Sequence, residues 1–218
     1  MEPSRNLNLT LYKMIVSALA LDSADHSTAD GHRLRSQVSD TPAHDPVRKL
    51  DREGTIGYMT LFVNHVCLQY PFLSAKDAMR QYDLVIDAVS DAFDHASIAE
   101  RGLSLEYFNT CLGIAIGGLL SQDSSQLAGF VNSLHWAARR MLPVILRNQD
   151  GLIPIKCMLL LAIFSLLSPS GGSAWHLIGL IVQKCVALGL EKEQDYPTQD
   201  LHTLDKINVF WTAYILDR

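Results

Sequence analysis

The sequence predicts an all-α fold, an irregular antiparallel array of about seven or eight helices. Three observations predict it. Apolar residues recur at spacings of three and four in one segment after another. No stretch sustains the period-two alternation of a half-buried strand. Short polar turns rich in Ser, Gly and Pro separate the segments. Composition agrees: of 218 residues, 48% are apolar and 19% charged, a globular balance rather than a disordered one. A chain this long can bury roughly 70% of its unfolded surface without staples.

Residues 7–21 carry an apolar stripe at Leu11, Met14, Ile15, Ala18 and Leu19, which predicts a helix. Residues 22–54 hold Ser, Asp, His, Pro and Gly with few apolar side chains, and read as a linker. The division is therefore residues 1–54, an N-terminal helix plus linker, and residues 55–218, a helical domain. Residues 56–69 place Tyr58, Met59, Phe62, Val63, Val66 and Cys67 on one face, and Pro71 ends the segment. Ser74-Ala-Lys-Asp77 reads as a capping box that opens a helix reaching to about residue 96. Ser104 is the expected cap of a helix over 105–120, and Ser124 or Ser125 of one running to 147. Residues 155–167 are apolar nearly all round, so other helices should surround them, with Pro154 tolerated in the first turn. Ser173 should cap residues 174–188, with Gly189 as a left-handed terminator, and residues 200–218 form the last helix.

The charge pattern argues against a nucleic-acid grip. Net charge is −5. The densest basic group, Arg33, Arg35, Arg48, Lys49 and Arg52, interleaves with Asp30, Asp40, Asp45, Asp51 and Glu53. The segment at 157–167 is too short to span a bilayer, and there is no secretory signal pattern, so no membrane partner is expected. Cys67, Cys111, Cys157 and Cys185 are too far apart for a Cys-x-x-Cys clip and read as buried free thiols.

No catalytic, cofactor-binding or metal-ligating residue is assigned. Asp83, Asp87, Asp91 and His95 share one helix face, but no matching ligand pair occurs elsewhere, and the stripe reads as a solvated face. Nucleophile-elbow, zincin and phosphate-loop motifs are absent. His135 and His176 read as structural histidines, and Arg139, Arg140 and Arg147 as cations at a helix end. Gly113 and Gly117 are spaced for close helix approach. Asp217 and Arg218 could form a semi-buried pair tying the last helix to another.

The C-terminal half goes further. It runs Ala174-Trp-His-Leu-Ile-Gly179, then Leu188-Gly-Leu190, then Phe210-Trp-Thr-Ala-Tyr-Ile-Leu-Asp-Arg218. That order resembles the middle homology region of fungal zinc-cluster transcription factors. Ala138-Arg139, the Leu-rich Met158–Ala162 and Tyr70-Pro-Phe-Leu73 fit the preceding segments, so the resemblance covers residues 58–218. Beside it, Gly179 is expected to admit a neighbouring helix closely. Trp175, Ile178, Ile181, Val182 and Cys185 are expected to face Phe210, Trp211, Tyr214 and Ile215 in packing.

The resemblance implies a nuclear transcription regulator, not an enzyme, whose middle region modulates activity through a small-molecule effector or intramolecular repression. It controls a metabolic or biosynthetic gene set in this reading. Zinc belongs to the family's six-cysteine cluster, but residues 1–54 contain no cysteine, so direct DNA binding does not carry over. Lys206-Ile-Asn-Val209 replaces the family's arginine run, and Glu191 its usual His or Asn. The family domain continues past Asp-Arg, so the chain reads as a piece of a longer regulator, cut at both ends and marginally stable alone. Two alternatives stand: a reader-less helical protein acting through a full-length regulator, and an unrelated α-helical enzyme or ligand carrier.

Overall fold

The computed structural model describes residues 13–15, 17, 51–90, 95–147, 151–168, 172–192 and 201–218. Among these are eight α-helices, one π-helical turn and no strand. The helices are α1 (Arg52–Phe62), which runs into the π turn Val63–Cys67, α2 (Ala75–Ser90), α3 (His95–Glu100), α4 (Ser104–Leu120), α5 (Ala128–Ile145), α6 (Leu152–Leu167), α7 (Ala174–Ala187) and α8 (Leu201–Asp217). Of the predicted N-terminal helix, residues 13–15 and 17 are helical and Ile15 is buried, but Met14, on the same predicted stripe, is exposed. Nearly all of the predicted linker lies outside the described residues.

Two helices carry the core. Helix α4 packs against α1, α2, α3, α5 and α6, and α6 packs against α4, α7 and α8. Both are buried along almost their whole length, as helices apolar all round must be. Of the apolar residues of α6 only Leu166 and Leu167 are exposed, with Ile153 half-buried. Helices α4 and α5 form an antiparallel hairpin through residues 121–127.

The tightest crossing is α1 on α4. A Cβ added at Gly117 would fall on the Tyr58 carbonyl group and within 2.9 Å of Tyr58 Cα. One added at Gly113 would meet Met59 Sδ at 3.0 Å and the Phe62 ring at 3.1 Å. The glycine spacing therefore does what the sequence suggests: it lets one helix backbone lie against another. Gly179 does not. It is exposed, and a Cβ there meets nothing within 4 Å, so the close approach expected at that glycine is absent among the described residues.

Local chemistry sets the helix ends. Asp51 caps α1 by accepting from the Gly54 amide at 2.8 Å. That helix starts four residues before the apolar stripe suggests, because the cap and Thr55, bonded to the Asp51 carbonyl at 2.6 Å, supply the first turn. Ser74 and Asp77 form the predicted capping box, with Ser74 Oγ accepting from the Asp77 amide at 3.0 Å and donating to its carboxylate at 2.7 Å. Ser173 accepts from the His176 amide at 3.4 Å. Helix α7 ends in a Schellman motif: Gly189 at φ 66° gives its amide to Val186 O, and Leu190 gives its amide to Cys185 O.

Two predicted caps fail. Ser104 is the first helical residue of α4, and its buried hydroxyl caps nothing. Helix α5 begins at Ala128 after a turn over 122–127, past Ser124 and Ser125, and has no side-chain cap. Arg139 and Arg140 lie mid-helix, so only Arg147 is at the C-terminal end. Arg139 instead lies over the Trp136 ring, 4.6 Å from its centroid.

His135 is buried as expected and stacks on Phe164 of α6 at 4.3 Å, but its Nε2 has no hydrogen-bond partner. Burial, with Arg139 nearby, lowers its pKa to about 3. A histidine whose pKa falls on folding costs stability as pH drops below its unfolded value near 6.5.

Two outcomes follow. In thermal melts, Gly117→Ala should destabilise by about 2 kcal/mol or more, because the clash is with backbone. Gly179→Ala should be neutral or stabilise by roughly 0.5–1 kcal/mol, the ordinary helix gain. Equal effects at both sites would refute the α1–α4 crossing. Between pH 7 and pH 5 the His135 contribution should fall by about 2 kcal/mol. His135→Phe should remove that part of the acid loss, and an unchanged pH slope would show that His135 is not buried neutral.

Candidate functional site

The last two helices put small residues inside and large ones outside. On α8, Val209, Thr212 and Ala213 are buried, with Thr212 Oγ1 satisfied by the Asn208 carbonyl at 2.7 Å. Phe210 and Leu216 are half-buried against the core. Leu204, Ile207, Trp211, Tyr214 and Ile215 are exposed, Trp211 by 53%. On α7, Leu177, Ile178, Ile181 and Cys185 are buried, while Trp175 is 77% exposed and Val186 54%. The two helices pack on each other. On α8 the exposed apolar residues Leu204, Ile207, Trp211 and Tyr214 recur at spacings of three and four and so share one side of the helix.

This corrects the expected packing of the aromatic block. Trp211 and Tyr214 are exposed, and only Phe210 of the three is packed against the core. The Trp211 and Tyr214 rings meet edge-on with centroids 5.5 Å apart, and Phe210 meets Trp211 at 5.7 Å. Arg218 does not tie α8 to another helix. Its Nη2 donates to Tyr214 Oη at 2.9 Å and its guanidinium lies 5.0 Å from the ring centre, while Asp217 is exposed. The tie is Lys156 of α6, whose Nζ lies 2.6 Å from both carboxylate oxygens of Asp205. The readable signal for the inner face is Val209, Thr212 and Ala213 at spacings of three and four, small enough for helices to close.

Asp83 and Asp87 belong to an ion cluster with Arg52, at 2.6 and 3.7 Å, that staples α1 to α2. The side chains of Asp91 and His95 lie outside the described residues. His176 Nδ1 is 2.7 Å from Ser173 Oγ and belongs to the α7 cap. The four cysteines are buried and none is in a disulfide. They lie on the π turn, α4, α6 and α7. Burial pushes Cys67 and Cys157 up to about 12 and Cys185 to about 11, away from thiolate reactivity. Among the described residues no group of three His, Cys, Asp or Glu could hold a metal, and no helix is long and apolar enough to cross a membrane.

Residues 59–218 match the family described as "Fungal specific transcription factor domain". The chain is similar to "Protein STB5" of Saccharomyces cerevisiae, 30% identical over 112 residues, which is 50% of this chain and 14% of that protein. It is also similar to "Negative regulator of pleiotropic drug resistance STB5" of Candida glabrata, 29% identical over 112 residues, 50% of this chain and 11% of that protein. The aligned part is thus a small fraction of both relatives. No solved structure matches the chain. With the match spanning α2 to α8 and the last four residues of α1, the chain belongs to the fungal-specific transcription factor domain family.

Proposed function

We propose that the chain is the non-catalytic regulatory region of a fungal nuclear transcription regulator, acting on a metabolic or biosynthetic gene set. The observation that carries this reading is the family match over residues 59–218. Charge is consistent with it: at a net −5, the domain is suited to contacting proteins rather than phosphates. In this reading zinc is not assigned to this chain, whose four cysteines are buried on four separate elements. DNA contact belongs to another module in this reading, and a small-molecule effector remains compatible with it.

A second reading rests on the α7–α8 face. The chain pairs there with a full-length regulator, whose helix covers Trp175, Trp211 and Tyr214. Exposed apolar faces with aromatic anchors are the usual sites of such pairing.

Both readings are tested by fusing the chain to a heterologous DNA-binding module in yeast and measuring a reporter. A several-fold change in transcription relative to the module alone is expected. A well-expressed nuclear fusion that leaves the reporter unchanged would overturn the regulatory reading. Trp175→Ser with Trp211→Ser should keep the helical circular dichroism, since both rings are exposed. It should abolish co-purification with a full-length regulator if the second reading holds. Retained co-purification would eliminate that reading alone.

A further inference from the structure

Helix α8 turns six large apolar residues to solvent: Leu201, Leu204, Ile207, Trp211, Tyr214 and Ile215, exposed by between 39% and 83%. Leu204, Ile207, Trp211 and Tyr214 form a row at spacings of three, four and three, the spacing of a coiled-coil seam. Leu201 and Ile215 flank that row on one side. His202, Asp205, Lys206 and Asp217 fall outside it, so no charge interrupts it. The row is symmetric about Val209: Leu204 and Tyr214 stand five residues from it, Ile207 and Trp211 two. Side-chain size is not symmetric. The aliphatic pair lies toward the N-terminus of α8 and the aromatic pair toward its C-terminus.

We infer that two copies of this chain pair through α8, antiparallel, with a two-fold axis passing level with Val209. An interface between identical copies must be self-complementary, residue i meeting j while j meets i. The row satisfies that condition. Leu204 faces Tyr214 of the partner copy and Ile207 faces its Trp211, so every layer joins one aliphatic side chain to one aromatic, and the helices keep an even separation. A parallel pair sets Trp211 on Trp211 and Ile207 on Ile207, wide at one end and narrow at the other. Charge points the same way. Asp200 and Arg218 continue the row's spacing at its two ends in the sequence. Antiparallel pairing brings acid to base there, whereas parallel pairing sets like on like. Arg218 donates to Tyr214 Oη through Nη2, and a guanidinium has further N–H donors for a carboxylate. The area is sufficient: six side chains of these sizes and exposures present on the order of 600 Å² per copy, so a pair buries about 1,200 Å², the lower end for a specific dimer. The pairing uses the same helix as the contact with a full-length regulator but does not rest on that reading.

Sedimentation equilibrium of the purified chain between about 1 and 100 µM should show a monomer passing to a dimer. Ile207→Lys and Trp211→Glu, each alone, should weaken the dimer by about tenfold or more. The circular dichroism should stay unchanged, since both side chains are exposed. An equimolar mixture of the two variants should dimerise again. The antiparallel register sets the new ammonium on the new carboxylate in one layer and leaves Trp211 on Ile207 in the other. A chain monomeric at every concentration would overturn the inference and leave this face to a different protein. So would a dimer that both variants leave intact, or variants whose mixture stays monomeric.

Discussion

The approach of α1 to α4 at Gly117 is the constraint on which the rest of the N-terminal half depends. The Tyr58 backbone fills the space where a side chain would be. That proximity sets Met59 and Phe62 against Gly113, buries both, and lets α2 lie alongside through the Arg52–Asp83 contact. Past Phe62 the helix widens into the π turn, where Val66 and Cys67 remain buried. Helix α4 then passes the core on to α5 and α6, and α6 to α7 and α8.

Polar groups in this core follow a different economy from its apolar ones. Thr55 meets Tyr82 Oη at 2.9 Å inside the α1–α2 contact, and Lys156 meets Asp205 between α6 and α8, so the paired groups sit where helices join. His135 Nε2, Ser104 Oγ and Thr110 Oγ1 are buried without partners, a cost that the surrounding apolar packing offsets. Among the described residues no group of three His, Cys, Asp or Glu could hold a metal. On α8 the aromatic Trp211 and Tyr214 stay exposed.

Helix order was legible because each segment carries its own periodicity and punctuation, except for α3 (His95–Glu100), which the sequence does not separate from the helix expected to reach about residue 96 but which here ends at Ser90. Ser74-Asp77, Ser173 and Gly189 are local signals, satisfied within a few residues, and they behave as read. Ser104 and Ser124 fail because a cap depends on where the preceding chain turns, which composition alone does not fix. The aromatic block of α8 was misjudged for a related reason. Hydrophobicity says that Trp211 and Tyr214 would gain by burial, not that α6 and α7 provide it. The geometry of closely packed helices prefers Val209, Thr212 and Ala213. Arg139 and Arg140 were read as helix-end cations because two arginines in a row suggest a helix end, whereas the helix continues through Pro143 to Ile145.

Native-state amide hydrogen exchange measures the central claim most directly. If α1 is locked to α4 through the glycine crossing, amides of Tyr58–Phe62 and of Cys111–Gly117 should exchange together, at the free energy of global unfolding. Exchange of the α1 amides through a local opening far cheaper than that of α4 would contradict it, because α1 would then be an accessory to the core instead of part of it.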